Sequence, residues 1–239
     1  MINQFKKYVD TFDFNDKNIE KKYYHSLRVK SLCKLISKDI GFNNEEVKIA
    51  EVAGLLHDYG RFMQWSKYHT FKDYESIDHG DYGASQLFDK NEIVNYLTDE
   101  KKYDEIYNAI KYHNKIILPK DLPERSQTLC KIVRDADKLD IMYLYSSQEL
   151  IFPEEGEISS VVKKTFDNET LINKKDEISG ADHGITDLAF IYDLNFTYSF
   201  KHLKRYKIIE QIYENLKDKE KFKYYFEKIV KYIDAQIKE

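Results

Sequence analysis

The sequence predicts an all-α protein, and two observations support this prediction. Only 8 glycines and 3 prolines interrupt 239 residues. Apolar residues recur mostly at steps of three and four positions, which is the period of a helix that packs on a core by one face. A chain of this length buries one substantial core, so we expect a single domain over residues 1–239, with its core at about 20–145 and a helical extension at about 150–239.

The apolar period places the helices along the chain and leaves two long breaks between them. The helices are predicted at about residues 18–40, 44–58, 81–98, 101–114, 125–148, 183–196, 198–217 and 219–237. Gly41 is positioned to end the first helix, and Asn43 with Glu46 has the spacing of an N-terminal cap for the second. The breaks at 59–80 and 149–182 are predicted as connections, and the second is either a lid or a loop.

Charge and composition exclude several classes of partner. Lys and Arg (38) and Asp and Glu (42) are interleaved and give a net charge of -4, so we expect no long nucleic acid as a partner. The N-terminus lacks an apolar signal segment, and no run approaches the roughly 18 apolar residues of a membrane span, so we expect no membrane partner and a cytoplasmic location. Cys33 and Cys130 are isolated and are predicted to be reduced core residues.

Several polar side chains lie on helix faces that should be apolar. His25 shares one face of the first predicted helix with Val29 and Cys33, at steps of four residues. The second predicted helix carries an apolar AGLL run directly into His57 and Asp58. Taken one at a time, such histidines are also explained as hydrogen-bonded core residues or as caps of helix ends.

Two carboxylates in the RDADKLD segment are harder to explain in this way. Asp137 and Asp140 share a stripe with Ile132, Val133 and Leu144. Burying an ionised carboxylate costs several kcal/mol unless a cation or good donors compensate. A multivalent metal provides that compensation, and imidazole with carboxylate suits Fe, Mn, Ni or Zn. The chain has no phosphate-binding loop, zincin or serine-hydrolase motif that would favour another chemistry.

The order H…HD…D resembles that of the HD-domain metal-dependent phosphohydrolases. Two further histidines, in DHGDYGA and KYHNK, lie between the HD pair and the final aspartate, and they are similar to the six-ligand branch that holds two metals. The six positions are His25, His57, Asp58, His79, His113 and Asp137. The resemblance covers about residues 20–145 and implies an HD-domain helical bundle with additional C-terminal helices.

The resemblance also implies which of two metal ions each of these six residues holds. One divalent transition metal ion (Fe, Mn, Ni or Zn) is held by His25, His57, Asp58 and Asp137. Asp58 bridges to a second ion, which is held by His79 and His113. The implied reaction is hydrolysis of a small phosphorylated substrate, a nucleotide mono- or diester, by a metal-activated hydroxide. Asp58 is therefore predicted to be catalytic.

Phosphate oxygens also require positive charge near the metals. Arg61, four residues after His57 in HDYGR, is predicted to be catalytic and to bind substrate. Lys138 and Asn114 are further candidates for substrate binding, although the side chain of Lys138 points about 100° away from that of Asp137. The remaining candidates are Tyr59, His69, Asp73 and Asp140. Asp135 is predicted to be a solvated partner of Arg134 or Lys138.

Two other functions remain open on the sequence. Some HD proteins use the same six ligands with iron to activate dioxygen, so a di-iron oxygenase is the first alternative, and the ligands alone do not separate it from a hydrolase. The second is a regulatory protein that binds a nucleotide without turning it over, and the complete ligand set speaks against it. The sequence does not indicate the substrate, the metal or the oligomeric state.

Overall fold

The computed structural model describes residues 1–238, which form α-helices and short 3₁₀ turns with no β-strand among them. The all-α prediction is confirmed. The chain divides into two compact units, Met1–Ala136 and Asp137–Glu239. The number of domains stays a prediction.

The first unit is built from six helices and the first part of a seventh. These are α1 (Ile2–Val9), α2 (Lys17–Asp39), α3 (Asn44–Leu56), α4 (Tyr59–Tyr68), α5 (His79–Phe88), α6 (Tyr103–Tyr112) and α7 (Glu124–Ser146), which continues into the second unit. The long helix α2 packs along α3, while α4, α5 and α6 pack in succession. Their shared interior is aliphatic and aromatic: Val29, Ile36, Leu55, Leu56, Phe62, Ile106 and Ile110 are fully buried.

The predicted end of α2 and the predicted start of α3 are confirmed in detail. Gly41 follows α2 with a φ of +85°, a left-handed conformation that a glycine adopts without strain. Asn43 then caps α3, because its side-chain oxygen accepts from the amides of Glu45 and Glu46 at 2.9 and 3.1 Å. The Glu46 carboxylate accepts from the Asn43 amide at 2.8 Å and completes a capping box.

The predicted connection at 59–80 is wrong in its first half, where the chain forms helix α4. Its inner face carries Gly60 and Gln64, both buried, beside the aromatic rings of Tyr59 and Phe62. Gln64 is satisfied inside the protein, since its amide donates to Asp73 and to the carbonyl oxygen of residue 77, both at 2.9 Å. A helix that buries glycine and glutamine has no aliphatic stripe, so apolar periodicity does not detect it.

Other differences concern helix ends and short helices. The sequence did not predict α1, and the helix predicted at 81–98 begins at His79 and ends at Phe88. Asn91 then adopts a left-handed φ of 56° before a 3₁₀ turn, Glu92–Asn95. Asparagine tolerates this conformation better than most residues, so the chain turns where the apolar pattern continues.

The second unit contains the rest of α7 and five further helices. These are α8 (Ser160–Asp167), α9 (Gly180–Leu188), α10 (Thr197–Arg205), α11 (Ile208–Asn215) and α12 (Lys219–Lys238). The single helix predicted at 198–217 is wrong, because Lys207 has a φ of 50° and divides it into α10 and α11. The predicted break at 149–182 contains α8 and the first turn of α9, and its role as a lid or loop stays a prediction.

The structure bears on three further predictions, which concern the two cysteines, membrane spans and Asp135. Cys33 and Cys130 are buried and do not form a disulfide, as predicted. None of the described helices combines the length and apolar composition that a membrane span needs. The prediction for Asp135 is wrong, because this side chain is fully buried and not solvated. The alternation of charges in RDADK resembles a solvated face, but the neighbouring Arg134 is buried as well.

Candidate metal centre

Five of the six predicted ligands converge inside the first unit. His25 lies on helix α2. The pair His57 and Asp58 lies at the junction of α3 and α4. Helix α5 begins with His79, and His113 follows the last residue of α6. None of the five is more than 3% exposed. Five helices and their ends therefore bring together four imidazoles and one carboxylate from positions up to 88 residues apart in the chain.

The Asp58 carboxylate lies at the centre of this cluster and faces two ways. Its Oδ2 lies 3.5 Å from Nε2 of His25 and 3.6 Å from Nε2 of His57. Its Oδ1 lies 3.3 Å from Nε2 of His79 and 3.7 Å from Nε2 of His113. Each oxygen thus has its own histidine pair, and each set of three residues has ligand atoms close enough to hold one metal ion.

Backbone carbonyls orient two of the imidazoles. Nδ1 of His57 donates to the carbonyl oxygen of Gly54 at 2.8 Å, and Nδ1 of His113 donates to that of Ile110 at 2.7 Å. Both acceptors are carbonyls left over in the last turns of α3 and α6. Because Nδ1 carries the proton in each ring, Nε2 presents its lone pair to the cluster, which is the arrangement that metal-binding histidines need.

The imidazoles of His79 and His113 approach each other closely, and this distance indicates that a cation fits between them. Their Nε2 atoms are 2.9 Å apart, while the Nδ1 atom of each ring is already hydrogen-bonded on its far side, to Asp73 and Ile110 respectively. Two nitrogen lone pairs facing each other at this distance repel unless a cation, either a proton or a metal ion, is shared between them. Imidazole nitrogens and one carboxylate are ligands that divalent transition metals prefer, so the residues present fit such an ion.

Electrostatics keep these groups in the form that binds a metal. Burial raises the pKa of Asp58, but Lys22 and the neighbouring imidazoles lower it by more, so the pKa lies well below its ordinary value and the side chain is a carboxylate. Burial lowers the pKa of His113 to about 4, which leaves this ring neutral at physiological pH. A metal therefore does not have to displace a proton from His113.

Asp73 holds His79 from outside the cluster. Its carboxylate accepts from Nδ1 of His79 at 2.8 Å, from Arg61 at 2.9 Å and from Asn114 at 2.9 Å. Burial raises the pKa of Asp73, but its bonds to His79 and its interaction with Arg61 outweigh this effect and place the pKa below its ordinary value. An ionised carboxylate on the far nitrogen fixes the ring orientation and makes Nε2 a stronger ligand.

Replacing Asp73 with alanine is expected to weaken metal binding at the His79 and His113 half of the site by roughly 10- to 100-fold, the usual cost of losing such a support. Titration of the metal-free protein with Mn²⁺ measures this, and Glu75→Ala, an exposed carboxylate in the same 3₁₀ turn, is the matched control. An unchanged affinity in a folded Asp73→Ala protein would contradict the support role.

Arg61 and Asn114 both lie beside this cluster. Nε of Arg61 is 3.6 Å from Oδ1 of Asp58 and is buried without a hydrogen-bond partner, while its Nη1 donates to Asp73. The amide of Asn114 donates to Asp73 and, at 3.0 Å, to Asp78. The structure thus shows Asn114 bound to two carboxylates, and its substrate-binding role stays a prediction.

Asp137 and Lys138 are carried by α7 at the beginning of the second unit. Asp137 is partly exposed, and its role as the sixth ligand stays a prediction. Lys138 is buried, and its ammonium lies 2.9 Å from the carboxylate of Asp193. This ion pair does not test the predicted contact of Lys138 with substrate, which stays a prediction.

Two residues that support the site escaped the sequence reasoning. Arg134 is buried and donates from Nη1 to the carbonyl oxygens of Tyr112, His113 and Lys115, which fixes the end of α6 where His113 lies. Gly60 lets α4 meet α5, since a Cβ atom there would lie 2.3 Å from the carbonyl oxygen of His79. The signal for Gly60 is its place in HDYGR; nothing in the sequence distinguishes Arg134 from a surface arginine.

Comparison with known proteins agrees with this geometry. The family pattern described as HD domain matches residues 23–142, half of the chain, and the match includes all six predicted ligands. Neither the curated proteins nor the solved structures that were searched gave a match. The chain thus belongs to the HD-domain family, whose members form a superfamily of metal-dependent phosphohydrolases.

Proposed function

We propose that this protein is a metal-dependent phosphohydrolase that cleaves a small phosphorylated metabolite, a nucleotide mono- or diester. The observation that supports this most strongly is the Asp58 carboxylate, whose two oxygens each face a separate histidine pair. Such a carboxylate suits two cations that lie side by side. Paired divalent ions are the usual apparatus for in-line displacement at phosphorus.

The residues that would hold the two ions follow from the two halves of the cluster. His25, His57 and Asp58 form one half, and Asp58, His79 and His113 form the other. Asp137 stays a predicted ligand of the first. When bound, divalent ions supply Lewis acidity toward phosphoryl oxygens and activate water for attack. The protein contributes ligand atoms whose orientation is fixed in advance by Gly54, Ile110 and Asp73.

Arg61 would bind the phosphoryl group itself. Its guanidinium is held on one side, where Nη1 donates to Asp73, to Gln64 at 2.7 Å and to the carbonyl oxygen of Phe71. Its Nε faces the Asp58 end of the cluster and has no hydrogen-bond partner of its own. A donor fixed in this way can stabilise negative charge that develops on a phosphoryl oxygen without first having to be reoriented.

The activity is tested on purified protein whose metal content has been measured. We expect transition metal in the protein, release of phosphate or of a phosphomonoester from compounds in a panel of nucleotides and small phosphoesters, and loss of turnover on chelation. Dioxygen should have no effect, so the panel is run with and without air. If the metal is iron, turnover requires dioxygen and no phosphoester is cleaved, the hydrolase proposal is wrong and the oxygenase replaces it.

Arg61→Ala is expected to lower kcat by about 100-fold, because the lost donor acts on the substrate. The metal content should stay that of the wild type, because Asp73 keeps its bonds to His79 and Asn114. The matched control is Lys67→Ala, which removes an exposed cation from the same helix. Steady-state kinetics and elemental analysis of both variants make the measurement. If Arg61→Ala turns over substrate at the wild-type rate, Arg61 does not bind the substrate.

A further inference from the structure

Lys22 lies at the candidate metal centre although it belongs to none of the predicted ligand positions. It precedes His25 by three residues on α2, a spacing that places both side chains on one side of the helix. Its Nζ is 2.7 Å from Oδ2 of Asp58, and its side chain is 23% exposed against 3% for that of Asp58. Lys22 thus connects the buried carboxylate to the protein surface.

The ammonium of Lys22 contacts the oxygen of Asp58 that would bind a metal. Oδ2 is the atom that faces His25 and His57, so an ion held by this half of the site needs the same oxygen. A divalent ion and an ammonium repel each other strongly at a separation of a few ångströms in a buried place. Lys22 therefore has to leave Oδ2 when an ion binds, and its side chain is partly exposed to solvent.

A second cation lies on the other side of the same carboxylate. Arg61 approaches Oδ1 of Asp58, and its Nε has no hydrogen-bond partner. Both cations also contact one aromatic ring: Nζ of Lys22 is 5.3 Å and Cζ of Arg61 is 5.7 Å from the centroid of Phe71. The two positive side chains thus flank the Asp58 carboxylate, one beside each of its oxygens.

We propose, on the basis of the proposed function, that Lys22 is a second phosphate-binding residue that exchanges Asp58 for the substrate when metal binds, and that it makes the enzyme selective for phosphomonoesters. A monoester has three terminal oxygens and carries a charge close to -2 at neutral pH, because its second pKa is about 6. A diester has two such oxygens and a charge of -1. Lys22 and Arg61, in addition to two metal ions, match the three oxygens and the larger negative charge of the monoester.

The proposal predicts effects of opposite sign on two binding reactions. In Lys22→Met, Mn²⁺ should bind more tightly than in the wild type, by roughly tenfold, because no ammonium competes for Oδ2. Inorganic phosphate should bind the Mn²⁺-loaded variant about 10- to 100-fold more weakly, the range for one lost charge-assisted hydrogen bond. Titration calorimetry with Mn²⁺ alone and then with inorganic phosphate measures both without any turnover.

Matched variants separate this role from a structural one. Lys21→Met removes the exposed neighbouring cation and should change neither affinity. Lys22→Arg keeps the charge and should retain phosphate affinity within a few-fold. Thermal unfolding checks that the variants are folded, and Lys22→Gln replaces Lys22→Met if methionine destabilises the helix. If a folded Lys22→Met or Lys22→Gln protein binds Mn²⁺ and phosphate as the wild type does, the proposal is overturned.

Kinetics test the selectivity. The ratio of kcat/KM for p-nitrophenyl phosphate to that for bis(p-nitrophenyl) phosphate should be high in the wild type and should fall about 10-fold or more in Lys22→Met, since only the monoester loses a contact. An equal loss for both substrates would overturn the selectivity. If the wild type cleaves no phosphoester while both binding effects appear, the proposed function is wrong and phosphate binding by Lys22 stands.

Discussion

Asp58→Ala is expected to empty both metal positions at once and to abolish turnover. Each half of the cluster contains two of the described histidines, and the Asp58 carboxylate is the group that both halves share. Without it, each ion would lose a ligand, and the repulsion between two neighbouring dications would no longer be offset by a negative charge between them. Elemental analysis of the purified variant, followed by Mn²⁺ titration, provides the measurement.

The design of this experiment must separate metal loss from unfolding. Asp58→Asn keeps the size of the side chain and one oxygen while it removes the charge, so it should also lose metal but perturb packing less. Asp104→Ala, an exposed carboxylate in the first turn of α6, is the control for general loss of negative charge. A folded Asp58→Ala protein that keeps its full metal content would show that Asp58 does not bridge the two positions.

The second large effect is expected from histidines of the half that faces Oδ1 of Asp58. His79→Ala and His113→Ala should each lower the metal content by about one equivalent and leave the half with His25 and His57 occupied. Two of the described histidines serve each half, so the loss of one leaves too few ligands to retain an ion tightly. Turnover should collapse in both variants, because the proposed hydrolysis needs the chemistry that both ions would supply.

Electron paramagnetic resonance of the Mn²⁺-loaded variants distinguishes one isolated ion from two coupled ions, and elemental analysis counts them. His25→Ala should give the reverse result, with the His79 and His113 half still occupied. His69→Asn is the control, since His69 is exposed and left-handed at the end of α4 and asparagine tolerates that conformation. Equal loss of both ions in His79→Ala would contradict this division of the ligands.

The sequence alone was sufficient for the helical class and for the five residues that converge in the candidate metal centre. Helix periodicity places His25 on the buried face of α2 whatever surrounds it, because a helix repeats every 3.6 residues. The cap at Asn43 was equally predictable, since an N-cap depends on residues three positions apart. Local rules therefore determined where α2 ends and where α3 begins.

Features that depend on contacts between distant segments were decided by the tertiary structure. Helix α4 buries Gln64 because Asp73 and the backbone of the following loop satisfy its amide, a compensation that no local pattern reveals. The same holds for Arg134, which is buried because the carbonyl oxygens after α6 accept its hydrogen bonds. A sequence records the polarity of such side chains but not their partners.

The position of Lys22 shows the same limit at the site itself. In the sequence it is one lysine in the run EKKYYH, and Lys21 beside it is exposed. Only the packing of α2 against α3 and α4 brings its ammonium to Asp58, 36 residues later in the chain. Helical spacing determined that Lys22 and His25 share a side of α2. The approach of Asp58 from a distant part of the chain decided that this side carries a charge pair. The reason is that the strength of an electrostatic interaction depends on distance in space and not on distance along the chain.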